Sequence, residues 1–126
     1  MGKQIIYGQV PSKSNSYRAI VVNGVSKLVK TKEVRKYEKS FYIQCNLYRN
    51  VGICNYFEFY ADIFFQSQRS DLDGCTKILL DCLQKINAIE NDNKCVKIYL
   101  RKFIDKAKPR VEFVIKEIKL DENENN

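Results

Sequence analysis

The sequence predicts an α+β domain, a mostly antiparallel sheet with two helices packed on it. Three observations carry that reading. Residues 32–49 and 73–87 repeat apolar side chains at helical spacing. Six shorter segments are rich in β-branched and aromatic residues or alternate apolar with polar. Two of the six flank Asn23-Gly24, a pair that tolerates the positive φ angles of a type I′ hairpin turn.

Taken in order, 4–9 is the first strand, and Val10 to Arg18 is a polar loop dense in turn formers. Residues 19–22 and 25–30 form the hairpin. Thr31 is placed to cap a helix over 32–49, whose apolar stripe is Val34, Tyr37, Phe41, Cys45 and Tyr48, with Gly52 just past its end. From 56 to 66 the chain alternates: Phe57, Phe59, Ala61, Ile63 and Phe65 on one face, Glu58, Asp62 and Gln66 on the other. The second helix, 73–87, carries Ile78, Leu79, Cys82, Leu83 and Ile86. Strands 94–103 and 110–119 follow, joined by a turn at 105–109. Residues 1–120 make the domain, and 121–126 read as an acidic polar tail that frays.

Charge narrows the partner. The chain has 22 Lys and Arg against 15 Asp and Glu, a net +7. Residues 1–120 hold all 22 bases but 12 of the acids, so the domain carries +10. Such an excess favours a polyanion, nucleic acid before membrane. No apolar run resembles a signal peptide or a span, so a cytoplasmic protein is expected. The five cysteines lack C-x-x-C spacing and read as small buried hydrophobes in a reducing compartment.

Within this basic chain, carboxylates gather at Ser70-Asp71-Leu72-Asp73, and a third, Asp92, lies in an Asn91-Asp92-Asn93 loop. The plainest account is a helix start: Ser70 and Asp73 resemble a capping box, and acids suit the helix dipole. Against it stand the polyanion-seeking charge, the polar Gln66–Ser70 loop, and Asp73, Lys77 and Asp81 at i, i+4, i+8 on one face. A Mg²⁺ or Mn²⁺ ion between Asp71 and Asp73 would hold a phosphodiester oxygen and activate water, and Lys77 would neutralise transition-state charge. There is no histidine, which excludes histidine-dependent nucleases and serine triads.

Val10-Pro11-Ser12-Lys13-Ser14-Asn15-Ser16-Tyr17-Arg18 is similar to the N-terminal segment of RusA-type Holliday junction resolvases. Arg69-Ser70-Asp71-Leu72-Asp73, Lys77, Leu80-Asp81-Cys82-Leu83 and Asn91-Asp92 resemble that family's central signature. The resemblance runs over about 5–118, with Gly74, Leu80 and Asn91 departing from the usual residues. It implies a homodimeric, Mg²⁺-dependent endonuclease that resolves four-way DNA junctions in recombination and repair, of a kind typical of phages and prophages. It implies metal-binding roles for Asp71, Asp73 and Asp92 and a catalytic role for Lys77. Lys13, Tyr17, Arg18 and Arg69 are the expected DNA contacts. Two rivals remain from the residues alone: a general nuclease of flaps and branched DNA, and a non-catalytic basic DNA-binding module.

Chain length adds an expectation about assembly. Asp73 to Asn87 spans ~21 Å of helix, and the five steps to Asp92 reach at most ~17 Å. Asp92 therefore cannot readily return to Asp71 and Asp73 of its own chain. Two copies of the helix lying antiparallel across a two-fold axis would bring it to the partner's pair, giving metal sites shared between subunits.

Overall fold

The computed structural model describes residues 2–119. The 121–126 tail of the sequence reading lies outside them. The elements are β1 (Gln4–Tyr7), β2 (Tyr17–Val22), β3 (Val25–Lys30), α1 (Lys32–Gln44), β4 (Phe57–Phe65), α2 (Thr76–Lys85), β5 (Cys95–Ile104) and β6 (Arg110–Glu117). Short 3-10 turns at Lys13–Asn15, Asp73–Cys75 and Asp92–Lys94 precede β2, α2 and β5. The α+β reading therefore holds.

The main sheet has the order β1-β6-β4-β5, and β2 and β3 pair separately with each other. Neighbours run antiparallel except β4 and β5, which are parallel. That exception follows from connectivity: α2 lies between those strands, and a parallel pair needs such a crossover. β4 alternates buried and half-buried along all nine residues. Its inward Phe57, Phe59, Ala61, Ile63 and Phe65 meet Val111, Phe113 and Ile115 of β6 and the apolar faces of α1 and α2 in one core. Phe113 stacks against Phe41 with ring centroids 5.8 Å apart, which fastens α1 to the sheet.

Local chemistry sets the boundaries. Thr31 Oγ1 accepts from Val34 N at 3.3 Å, the expected cap. Asn23 and Gly24 have φ of 52° and 77°, as the hairpin turn requires. α1, however, stops at Gln44 rather than 49. The amide of Leu47 is taken by Gln4 Oε1 at 2.9 Å, which pulls the chain out of the helix, while Cys45 and Tyr48 stay buried. Gly52 is therefore no helix cap. At φ 68° it turns the chain so that its N–H reaches Asn87 O at 2.9 Å.

α2 ends in a Schellman motif. Asn87 sits at φ 59°, Ala88 N donates to Leu83 O at 2.9 Å, and Asn87 N donates to Gln84 O at 3.1 Å. The capping box foreseen at Ser70 does not form, because Asp73 opens a 3-10 turn and no side chain caps it. Of the cysteines, Cys45, Cys75 and Cys82 are buried as expected, whereas Cys54 is exposed and Cys95 half-buried. No helix among the described residues is long and apolar enough to cross a membrane.

Candidate active site

The carboxylate loop leaves the end of β4 and is held from two sides. Gln9 accepts from Gln66 N at 3.0 Å and donates to Ser70 Oγ at 3.3 Å. Lys102 Nζ donates to Gln68 O at 2.8 Å and Ser70 O at 2.6 Å. Leu72 packs on the core, and its carbonyl accepts from Cys75 N at 3.0 Å. Between these anchors Asp71 and Asp73 are exposed. Asp71 makes its contact through the backbone, Cys75 Sγ donating to its carbonyl at 3.6 Å. Neither carboxylate has a hydrogen-bond donor or cationic partner among the described residues. Both lie near enough to Cys75 to act on its thiol. Burial pushes that thiol up to about 11, with Asp73 and then Asp71 adding to the effect, so it stays protonated at neutral pH.

A cleft of about 370 Å³ opens beside this pair, lined by Tyr17, Leu28, Asp73, Gly74, Lys77 and Ile78. One wall is the start of α2 and the other is the β2–β3 hairpin. Lys77 is 71% exposed and lies 3.5 Å from Asp81 Oδ2, one turn further along α2. Tyr17 donates to the same oxygen at 3.3 Å. Burial, then Asp81, raises the Tyr17 hydroxyl above its ordinary value. Asp81 thus tethers both a cation and a phenol at the lip of the cleft.

Asp92 is elsewhere. Its N–H donates to Gln84 Oε1 at 3.2 Å, at the far end of α2 from Asp73. It also precedes β5, whereas Lys102, which holds the carboxylate loop, lies near the end of that strand. Among the described residues, no three His, Cys, Asp or Glu side chains gather closely enough to hold a metal ion. The structure thus brings Asp71, Asp73, Lys77 and Tyr17 into one region and leaves Asp92 apart.

Of the other expected DNA contacts, Arg18 is exposed on β2 and Arg69 is exposed in the carboxylate loop. Lys13 begins the 3-10 turn ahead of β2. Arg110, which follows the 105–109 turn, is already committed to Asp105 and Glu112 and lies 3.8 Å over the Phe64 ring.

Sequence reasoning missed Gln9 and Lys102, the two side chains that set the loop. For Lys102 a signal existed: it interrupts Ile98, Leu100 and Ile104 on one side of β5. Gln9 gave none.

Residues 7–116 match the family profile described as Endodeoxyribonuclease RusA. The chain belongs to the RusA family. Its members are Holliday-junction-resolving endodeoxyribonucleases, so cleavage of DNA phosphodiesters comes with membership. The RusA match spans the Pro11–Arg18 loop, the hairpin, the carboxylate pair, Lys77 and Asp92. No curated protein sequence matches the chain.

Proposed function

We propose that this RusA-family chain cuts four-way DNA junctions as a homodimer, with Mg²⁺ held by Asp71 and Asp73 of one protomer and Asp92 of the other. The observation that carries the proposal is the separation of Asp92 from the exposed, unpartnered Asp71–Asp73 pair. Three carboxylates of one chain do not converge, and a two-fold axis makes them converge twice.

The donor set fits a hard divalent cation. Aspartate oxygens suit Mg²⁺, which is commonly held by one or two carboxylates plus phosphate oxygens. The nearby Cys75 thiol is buried and soft, a poor match for a hard ion. When bound, the ion supplies Lewis-acid polarisation of the phosphate and an activated water. The chain's own residues do the rest. Gln9 and Lys102 hold the loop so that the carboxylates need no reorganisation when DNA arrives. Lys77 is released from Asp81 toward the scissile phosphate, where its charge offsets the charge that develops. Arg69, Arg18 and Lys13 bind flanking phosphates, and Tyr17 lies at the cleft for a base or sugar.

The surface for the second copy is β5. The antiparallel-helix contact foreseen from sequence has little apolar material to use, because Ile78, Leu79, Leu80, Cys82 and Leu83 of α2 are already buried in their own core. β5 instead lies at the sheet edge with Val96, Ile98, Tyr99, Phe103 and Ile104 exposed. Lys97, Arg101 and Lys102 interrupt the apolar residues, but the backbone edge itself is open, and an open edge is a pairing template unless covered. Antiparallel pairing of two β5 strands sets the start of one, where Asp92 lies, beside the end of the other, where Lys102 holds the Asp71–Asp73 loop.

The test mixes Asp71→Asn protein with Asp92→Asn protein after verified subunit exchange. The expected outcome is Mg²⁺-dependent nicking of a four-way junction by heterodimers that keep one intact site. A mixture as inactive as its parents overturns the shared site. Equal cutting of flap, duplex and junction by the wild type would favour the general nuclease, and no cutting with Mg²⁺ or Mn²⁺ the binding module.

A further inference from the structure

The β2–β3 hairpin is a second, unexplained surface. It belongs to no larger sheet, and an isolated two-stranded hairpin is marginal in water. It persists because its root is fastened. Thr31 N donates to Ser16 O at 3.0 Å, Lys30 pairs with Glu38 at 2.7 Å, and Tyr17 bonds Asp81. Beyond that root it stands free.

One of its faces lies along the cleft. The cross-strand pairs Tyr17–Lys30, Ala19–Leu28 and Val21–Ser26 put Tyr17, Ala19, Val21 and Leu28 on that side, together with Lys30 and Ser26. Tyr17 and Leu28 line the catalytic cleft, so this is the side turned toward Asp73 and Lys77. Leu28 and Val21, 75% and 73% exposed, are the two most exposed large apolar side chains among the described residues. The opposite face carries Arg18 and Lys27 among Ile20, Val22, Val25 and Val29, and residues 17–30 contain no acid. An exposed apolar patch beside a phosphodiester site, on a hairpin that carries cations and no acids, complements a nucleic-acid strand whose bases are turned out of the helix. Apolar side chains inserted at base steps unstack them, and an aromatic ring offers a stacking surface for a freed base.

We infer that the cleft face of this hairpin, Tyr17, Val21 and Leu28, is a platform for unstacked bases next to the scissile phosphate, by which branched DNA is told from continuous duplex. The inference rests on the nuclease reading and extends it from where the strand is cut to how the branch is sensed.

The experiment places 2-aminopurine beside the branch point of a four-way junction and measures its fluorescence as full-length protein is added in EDTA, so that binding is read without cleavage. The wild type is expected to raise the fluorescence on binding. The Val21→Ser/Leu28→Ser variant, altered only at exposed positions, is expected to lose the rise. Its preference for junction over duplex should fall by about tenfold, within the range of one lost base contact. Leu28→Phe, which keeps an apolar surface, should retain the rise. Junction binding by the wild type with silent 2-aminopurine, or an undiminished rise in the double variant, overturns the platform and leaves the nuclease reading intact. A double variant that sediments differently from wild type without DNA also overturns it, by showing that the face is covered by a second copy. Failure of the wild type to bind a junction at all rejects the functional reading itself.

Discussion

Asp71→Asn and Asp73→Asn each exchange a carboxylate oxygen for an amide where the side chain is exposed and has no partner among the described residues. Exposed substitutions away from packing change stability by about 0.5 kcal/mol or less. Both variants are expected to unfold in urea at essentially the wild-type midpoint while losing Mg²⁺-dependent cleavage. A folded variant that still cleaves at the wild-type rate removes that residue from the site. Glu112 behaves in the opposite way, because it is tied into the fold. Hydrogen bonds from Lys3 and Arg110 hold its carboxyl below the usual range. A depressed folded value means the contribution is present above the unfolded value of ~4.3 and drains away as pH falls through the folded value. Glu112→Gln should therefore lower Tm at pH 7, with the gap to wild type closing below that range in a thermal-melt series. The contrast explains what was legible at this scale. Asp71, Asp73 and Lys77 stood out because charged side chains at helical spacing in a basic chain call for an explanation. Gln9 and Lys102 act through backbone carbonyls and amides of a distant loop, and no local pattern encodes such a contact.

Among the elements, α2 shows where propensity and tertiary structure divide the work. Its apolar stripe was readable because burial imposes the 3.6-residue period. Its ends were not, because they are fixed by partners: Leu72 and Cys75 packing at the start, Asn87 at the finish. Asn87 occupies the left-handed region at φ 59°. Asn87→Gly should leave stability nearly unchanged, whereas Asn87→Val should cost about 1–2 kcal/mol, read as a shift in the urea midpoint. Equal midpoints for the two variants would show that this turn relaxes elsewhere. α1 teaches the same lesson in reverse. Cys45 and Tyr48 extend its apolar rhythm and are buried as the pattern demands, yet the helix has ended, because Gln4 captures the Leu47 amide. Side-chain periodicity reports which residues face the core, and backbone hydrogen bonds decide what conformation delivers them there. The parallel sense of β4 and β5 likewise depends on how α2 crosses the sheet, which the alternation within each strand does not record.

Across the whole molecule 22 bases face 15 acids, and only part of the excess is spent on pairs within the chain such as Lys30–Glu38 and Arg101–Asp62. DNA affinity should accordingly be dominated by phosphate contacts. For ~6 of them the slope of log K against log salt is near −5, measured by fluorescence anisotropy across a salt series. A slope near zero would exclude phosphate-driven binding. The class of fold was visible in the chain at this level, and so was the distance between Asp92 and the Asp71–Asp73 pair, because helix length sets it. What lay beyond it was which surface is left open for a second copy, since the exposed edge at β5 depends on the order of strands in the sheet.

If the proposed sites are shared between protomers, the gap between Asp92 and the Asp71–Asp73 pair also ties catalysis to abundance. Under the shared-site arrangement, one protomer holds no finished centre and two protomers hold two. Cutting capacity therefore appears only when chains meet, and a sparse population is inert however much magnesium surrounds it. Diluted below the dimer's dissociation constant, turnover per protomer should fall in proportion to protein concentration, whereas a centre complete within one chain would keep its specific activity constant. The same coupling joins the two incisions. Both centres come into being in one encounter, so an assembled molecule arrives at a symmetric branch already equipped to open both strands, and a lone chain bound to intact duplex has nothing with which to break it.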